Sequence, residues 1–249
     1  MREVRHVPEC EIRMIRENDP SPSERFSVPF LQSVPVELHR PTDPDGSLVV
    51  ALHGQGMRPT SFARETLAAM PKRATVIYPQ APLPFEIRTG TRIKQGNGWY
   101  VYLGDTPEFL ESMERAEHWL RYVLDATLAK GGFDASRVAL LGFSQGGYLA
   151  GFVGLRNADR FDRLVVAGAR LKHEALEDTT RAAAAAQPSF RILDVHGEDD
   201  ASVRPDPCRE SAAKITEFGV PVDFRTYPAK HYVLRNDACR ADVGAFLES

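Results

Sequence analysis

GFSQG, at residues 142–146, matches the pattern Gly-x-Ser-x-Gly, and the segments on either side of it indicate the fold. The apolar run Val138–Leu141 directly before it predicts a buried strand, and the stretch that begins at Gly146 predicts a helix. In such a strand–turn–helix setting the sharp turn presents the serine oxygen at the carboxyl end of the sheet. The two glycines let the strand and the helix approach each other. Ser144 is therefore the candidate nucleophile.

Short apolar runs like Val138–Leu141 recur along the chain and predict further strands. Most are continuous rather than alternating, as is typical of strands in a parallel sheet that is covered on both faces. These continuous runs are Leu48–Leu52, Thr75–Tyr78, Leu164–Ala167 and Ile192–Val195. Ser33–His39 and Val222–Tyr227 alternate more in polarity, so we expect edge strands there. Pro35 suits Ser33–His39 to an antiparallel edge.

Helical segments lie between the predicted strands. Pro107–Lys130 has Thr106 as a candidate N-cap, a proline at its first position and Gly131 as its stop. Further helices are predicted at Gly146–Arg156, Asp206–Phe218 and Asp237–Leu247, with a short surface helix at Ala182–Ala186. Strands that alternate with helices predict an α/β domain with a mostly parallel central sheet and helices on both faces.

Two segments lie outside this alternation. Residues 1–32 are polar and proline-containing, so we expect an N-terminal leader or edge extension followed by a single domain at 33–249. Residues 84–105 form a long connection with four glycines. Long ordered loops are often functional, which favours a flap in which Trp99 and Tyr100 bind substrate. Simple core packing of these two aromatic side chains is the alternative.

The composition sets limits on the class of protein. The chain has 249 residues, 43% hydrophobic and 26% charged, which is enough for one large α/β domain with a buried core. The net charge of -3 gives no reason to expect nucleic acid as a partner. The sequence contains no apolar stretch of the length that a membrane span needs. A small molecule is the expected partner, and a monomer or a homodimer fits equally well.

The three cysteines, Cys10, Cys208 and Cys239, are far apart and form no Cys-x-x-Cys pair. We therefore expect reduced cysteines and a cytoplasmic protein, because the charged N-terminus also lacks the apolar core of a secretory signal. No His, Cys or carboxylate residues have the spacing of metal ligands, so neither a metal nor a cofactor is expected.

A serine nucleophile needs a histidine base, which an acid must hold in the right tautomer. With a Gly-x-Ser-x-Gly turn these follow in the order serine, acid, histidine. His231 comes after the last predicted strand and is the candidate base. His196 follows the strand Ile192–Val195 and is expected to be a structural turn residue, and His173 comes too early. The loop after Ile192–Val195 is where the acid belongs, which leaves Asp199 and Asp200 open.

Several segments together resemble the phospholipase/carboxylesterase family, which includes bacterial carboxylesterases and eukaryotic acyl-protein thioesterases. The matching segments are LHGQG at 52–56, YPQAP at 78–82, GWY at 98–100, GFSQGG at 142–147, AGARL at 167–171 and HGEDDASV at 196–203. The resemblance covers roughly residues 48–247 and implies the α/β-hydrolase fold. It also implies Asp200 as the acid and an oxyanion hole formed by the backbone N–H groups of Gln55 and Gln145. The amide of Gln145 suits that role, because it begins a helix and is positively polarised.

The sequence thus predicts a serine hydrolase that cleaves carboxylic esters with short to medium acyl chains through an acyl-enzyme. Whether it also cleaves thioesters is left open, because residues 84–106 differ from the thioesterases and carry Arg88, Arg92 and Lys94. A lactonase or a peptidase on the same fold is an alternative, although a dienelactone-type lactonase would have Cys at position 144. A non-catalytic ligand-binding protein is the alternative from another class, but such proteins usually lack one of the three catalytic side chains.

Overall fold

The apolar runs of the sequence form strands in the computed structural model, which describes residues 33–104 and 106–249. The strands of these residues are β1 Val36–His39, β2 Leu48–Leu52, β3 Thr75–Pro79, β4 Leu83–Thr89, β5 Arg92–Gly98, β6 Val138–Phe143, β7 Arg163–Ala167, β8 Arg191–Gly197 and β9 Val222–Tyr227. Residues Val34–Ser249 make one compact unit. The predicted leader at residues 1–32 lies outside the described residues and stays a prediction.

The main sheet has the strand order β1-β3-β2-β6-β7-β8-β9. Only β1 is antiparallel to its neighbour, as predicted for an edge strand that follows Pro35. The opposite edge is β9, which also confirms the prediction from its alternating pattern. Because the remaining strands run parallel, the segments that follow β2, β6, β8 and β9 all emerge at the same edge of the sheet. This edge is where the candidate functional residues lie.

Helices cover both faces of the sheet, as the sequence predicted. Within the described residues they are α1 Pro59–Thr66, α2 Pro107–Leu128, α3 Gln145–Arg156, α4 Glu177–Ala186, α5 Pro205–Glu217 and α6 Asp237–Glu248. Leu48, Val50 and Leu52 of β2 pack on the face that carries α2 to α5. Val49 and Ala51 pack on the other face, with α1 and α6. Each fully buried aliphatic side chain of these two cores contributes about 1.5–3 kcal/mol.

None of the helices in the described ranges combines the length and apolarity that crossing a bilayer requires.

The expectation of a long loop over residues 84–105 is wrong for most of this segment. Strands β4 and β5 pair as an antiparallel hairpin, from Leu83 opposite Gly98 to Thr89 opposite Arg92. The turn uses Gly90, whose φ of 58° is accessible to glycine at little cost. Leu83, Phe85 and Ile87 alternate with Pro84, Glu86 and Arg88 in β4, an apolar alternation that the interpretation as a glycine-rich loop missed.

Two helices also differ from the prediction. Helix α1 was not predicted, because it is only eight residues long and mostly polar. Helix α4 begins at Glu177 rather than Ala182, with Glu177 and Asp178 in its first turn, where acidic side chains are favourable.

Candidate active site

The turn between β6 and α3 holds Ser144 in a strained conformation. Its φ of 54° makes it the only non-glycine residue with a positive φ among the described residues. Such strain costs roughly 1–3 kcal/mol. A Cβ on Gly142 would overlap the carbonyl oxygen of Gly146, and a Cβ on Gly146 would overlap that of Leu52. The sequence Gly-x-Ser-x-Gly is therefore required here by the close approach of strand and helix.

His231 lies between Ser144 and Asp200. Its Nε2 is 2.9 Å from Ser144 Oγ, and its Nδ1 is 2.7 Å from Asp200 Oδ2. When Nδ1–H donates to the carboxylate, Nε2 is left to accept the hydroxyl proton of the serine. The structure therefore brings together the three side chains that the sequence placed at three separate strand ends.

Asp200 is held from its other side by the backbone. Its Oδ1 accepts hydrogen bonds from the amides of Ser202 (2.8 Å) and Val203 (2.9 Å), and its side chain is buried. The neighbouring Asp199 is exposed, and its backbone amide donates to the carbonyl oxygen of Ala229. Of the two carboxylates that the loop offered, Asp200 is the one that contacts the histidine.

The loop that carries Asp200 is joined to the loop that carries His231. The amides of Glu198 and Asp199 donate to the carbonyl oxygens of Tyr227 and Ala229, at 2.9 and 3.1 Å. A Cβ on Gly197 would overlap the carbonyl oxygens of Ala229 and Lys230, so the two loops pack without space for a side chain. This contact fixes the position of the imidazole relative to the carboxylate.

The other two histidines that follow Ser144 lie elsewhere. His196 is fully buried within β8, not in a turn, and its Nε2 is 2.7 Å from Asp194 Oδ1. Burial raises the pKa of Asp194, although the hydrogen bond with His196 opposes this shift. His173 contacts the hydroxyl of Ser211. The side chains of both residues thus contact groups other than Ser144 and Asp200, and His196 belongs to the strand itself rather than to the predicted turn.

The candidate oxyanion donors lie on two adjacent segments. Gln145 is the first residue of α3, so its amide has no acceptor within the helix and carries a partial positive charge. Gln55 follows β2 in an exposed loop. The start of α3 touches this loop, because a Cβ on Gly146 would overlap the carbonyl oxygen of Leu52 and lie 2.6 Å from that of His53. The role of both amides stays a prediction.

His53 is a residue to which the sequence analysis gave no role. It is 1% exposed, its Nε2 accepts a hydrogen bond from the amide of Ala81 (3.1 Å), and its Nδ1 donates to the carbonyl oxygen of Gly54 (2.8 Å). The contact with Ala81 needs the neutral imidazole, because a protonated Nε2 cannot accept, and burial lowers the pKa of His53 to about 4. The only sequence signal for this residue was its place in LHGQG.

Trp99 and Tyr100 lie in the core next to the nucleophile turn. Trp99 is 1% exposed and Tyr100 is 7% exposed. The side chain of Gln145 accepts a hydrogen bond from the amide of Trp99 and donates one to the carbonyl oxygen of Tyr100, both at 3.0 Å. This burial favours the packing role that the sequence left open, and substrate binding by these two residues stays a prediction.

A mostly apolar cavity of about 490 Å³ is lined by the start of α2, by α3 and by the segment after β7. Phe109, Leu110, Met113 and Phe152 form much of its wall, together with Lys172. The ring of Tyr100 contacts that of Phe109 edge to face, with centroids 5.5 Å apart. The volume is within the range of small-molecule sites.

Cys208 and Cys239 are free and buried. Burial raises the pKa of each thiol to about 12, so neither is a thiolate at neutral pH. Within the described part of the chain, no group of three or more His, Cys, Asp or Glu side chains is arranged to hold a metal ion.

The sequence profile of the phospholipase/carboxylesterase family matches residues 35–238. The fold is similar to that of esterase PE8, with a TM-score of 0.68 at 20% identity over 87% of this chain and 99% of that one. It is also similar to acyl-protein thioesterase 2 from Zea mays, with a TM-score of 0.69 at 20% identity over 86% and 97% of the two chains. The carboxylesterase of Bacillus cereus gives 0.64 at 12% identity over 86% and 93%.

Proposed function

The chain belongs to the phospholipase/carboxylesterase family of α/β-hydrolases, as its motifs predicted, and we propose that it cleaves carboxylic esters through an acyl-enzyme. The observation that carries this proposal is the position of His231, within hydrogen-bond distance of both Ser144 and Asp200. This is the arrangement that activates a serine hydroxyl, which is a weak nucleophile by itself.

In the acylation half of the proposed reaction, Ser144 Oγ attacks the ester carbonyl carbon while His231 Nε2 takes the hydroxyl proton. Asp200 stabilises the imidazolium that forms, and the amides of Gln55 and Gln145 donate to the negative carbonyl oxygen. The tetrahedral intermediate then collapses, the bond to the leaving oxygen breaks, and His231 gives its proton to the departing alcohol.

Deacylation repeats these steps with water as the nucleophile. His231 Nε2 takes a proton from the water as its oxygen attacks the acyl carbon, and the same two amides bind the oxyanion. The bond to Ser144 Oγ breaks, the proton returns to the serine, and the carboxylic acid leaves. The net reaction consumes one water and needs neither a metal nor a cofactor.

The proposed substrate is a small ester with a short to medium acyl chain, and the apolar cavity beside Tyr100 supports this choice. Its wall of Phe109, Leu110, Met113 and Phe152 suits an apolar chain. Thioesters belong to the same proposal, because attack on the acyl carbon and proton delivery to the leaving atom follow the same course. The buried free thiols agree with the reducing cytoplasm that we propose as its location.

The experiment that tests the proposal is fluorophosphonate labelling of the wild-type protein and of Ser144→Ala. We expect labelling of the wild type and none of the variant, because the probe bonds covalently to an activated serine. Hydrolysis is then measured on p-nitrophenyl esters of increasing chain length, with a thioester, a lactone and an amide alongside. A wild type that neither labels nor hydrolyses contradicts the proposal. A preference for the lactone or the amide would indicate the lactonase or peptidase alternative.

A further inference from the structure

Trp99 is bonded to both segments that carry the candidate oxyanion donors. Its indole Nε1 donates a 2.6 Å hydrogen bond to the carbonyl oxygen of His53, two residues before Gln55. Its backbone amide donates a 3.0 Å hydrogen bond to the side-chain Oε1 of Gln145. The ring is 1% exposed, so the indole bond is buried and its geometry is strongly enforced, whereas the bond to Gln145 is partly buried.

Asn97 adds a second contact to the same loop, on the other side of Gln55. Its carbonyl oxygen accepts a 2.9 Å hydrogen bond from the amide of Gly56. Its side-chain Nδ2 donates to the carbonyl oxygen of Ala81, the residue whose amide binds His53. The backbone on each side of Gln55 is thus tied to the segment Asn97–Tyr100.

Gln145 completes the connection from the side of the nucleophile. Its side chain binds the amide of Trp99 and the carbonyl oxygen of Tyr100, so the two ends of one carboxamide are fixed by consecutive residues. The same residue supplies the other candidate oxyanion donor through its backbone. The segment Asn97–Tyr100 is therefore hydrogen-bonded both to the loop that carries Gln55 and to the side chain of Gln145.

We propose that Trp99 is a positioning residue that sets the separation between the backbone amides of Gln55 and Gln145. This inference rests on the proposed function, in which those amides bind the oxyanion. Such donors act only when they lie about 2.7–3.1 Å from the position that the oxyanion occupies. A displacement of about 1 Å is enough to reduce the rate roughly 100-fold. The indole acts through the loop of His53 and does not touch the substrate.

The test compares Trp99→Phe with Trp119→Phe. Phenylalanine keeps an aromatic ring at position 99 but removes the N–H that binds His53. Trp119 is the matched control, because its ring packs 5.8 Å from that of Trp99 in the same core. For Trp99→Phe we expect kcat to fall about 10- to 100-fold, with KM within about threefold of wild type. For Trp119→Phe both constants stay within about threefold.

Two further measurements separate positioning from other roles. The affinity for a trifluoromethyl ketone, which forms an oxyanion on Ser144, should fall in parallel with kcat. The loss in kcat should be similar for esters with short and with long acyl chains. If Trp99→Phe folds poorly, Gln145→Met removes the side-chain bonds while keeping the backbone amide, and the same loss in kcat is expected.

An unchanged kcat in these variants overturns the inference. So does a loss that depends on acyl length, which would make Trp99 a substrate contact, or an equal loss in Trp119→Phe, which would reduce its role to packing. A wild-type protein inert to esters and to fluorophosphonate would instead refute the proposed function.

Discussion

The carboxylate of Asp200 and the imidazole of His231 meet at 2.7 Å although the two residues are 31 positions apart in the chain. They come from the loops after β8 and β9, two parallel neighbours that end at the same edge of the sheet. The second carboxylate oxygen is occupied by backbone amides, so Asp200 has one orientation in which to hold the histidine.

We expect Asp200→Asn to lower kcat by about 10⁴, because an amide favours the wrong tautomer of His231. Asp199→Asn is the matched control and should leave kcat within about threefold, since Asp199 is exposed. Steady-state kinetics on one p-nitrophenyl ester checks both variants. The assignment of the acid is wrong if the change at position 199 is the more damaging one.

Replacing the nucleophile gives the second prediction. Ser144→Ala should retain the fold and lose roughly four to six orders of magnitude in kcat, because the members of a catalytic triad act as a unit. Circular dichroism and ester hydrolysis measure the two properties. A loss of only a few-fold would show that another residue attacks the substrate.

The third prediction concerns the dependence of stability on pH. Burial lowers the pKa of His53 from 6.5 to about 4, so between these values the unfolded chain binds the proton that the folded chain excludes. The contribution of neutral His53 to the free energy of unfolding is therefore complete above pH 6.5 and is lost as the pH falls towards 4. It amounts to roughly 3 kcal/mol, at 1.36 kcal/mol for each pKa unit.

Urea unfolding of the wild type and of His53→Gln tests this prediction. Glutamine does not titrate, so the variant lacks this part of the pH dependence, although it loses stability at neutral pH. The difference in unfolding free energy between the two proteins should narrow between pH 7 and pH 4.5. A difference that is constant over this range would contradict the assignment.

Gly197→Ala gives the fourth prediction. The added Cβ must displace the backbone of Ala229 and Lys230, which should cost about 2 kcal/mol or more. It should also reduce kcat more than tenfold, since this backbone carries His231. Gly151→Ala, within helix α3, is the control, because its Cβ meets the ends of two side chains, Leu171 at 2.9 Å and Val166 at 4.0 Å, and no backbone of another segment. Thermal unfolding should show a change within about 1 kcal/mol for that variant.

The fifth prediction concerns the apolar cavity that we propose for the acyl chain. Leu110→Trp places a larger side chain on the cavity wall, so kcat/KM should fall at least tenfold for long acyl chains and little for acetate. Tyr122→Trp, at an exposed position on the same helix, should leave the chain-length profile unchanged. Equal effects of Leu110→Trp on all chain lengths would place the acyl chain elsewhere.

The sheet was predictable because burial on both faces demands continuous apolar runs such as Leu48–Leu52, which are visible without any partner strand. The hairpin β4–β5 was not predicted, because Pro84 and the glycines at positions 90, 96 and 98 are typical of a loop and outweighed the short apolar alternation of β4. Which residue of β4 lies opposite which residue of β5 cannot be seen from the sequence of either strand alone.

The contact of Ser144, Asp200 and His231 was predictable because each lies at a strand end in the order that the turn motif requires. The network around His53 and Trp99 was not. It joins side chains to backbone groups 28 and 46 positions away, and backbone groups are present at every residue. Nothing in the residue types shows which carbonyl oxygen an indole reaches. For that reason the sequence left substrate binding and core packing of Trp99 open, and it did not predict the contact with His53.

The positive φ of Ser144 has a consequence for how this protein responds to selection. Relieving that conformation with glycine should stabilise the chain by about 1 kcal/mol, because glycine adopts it at little cost. A screen that rewards thermostability alone would therefore enrich the loss of the proposed nucleophile. Stability and activity are opposed at this position, and an engineering campaign has to select for both at once.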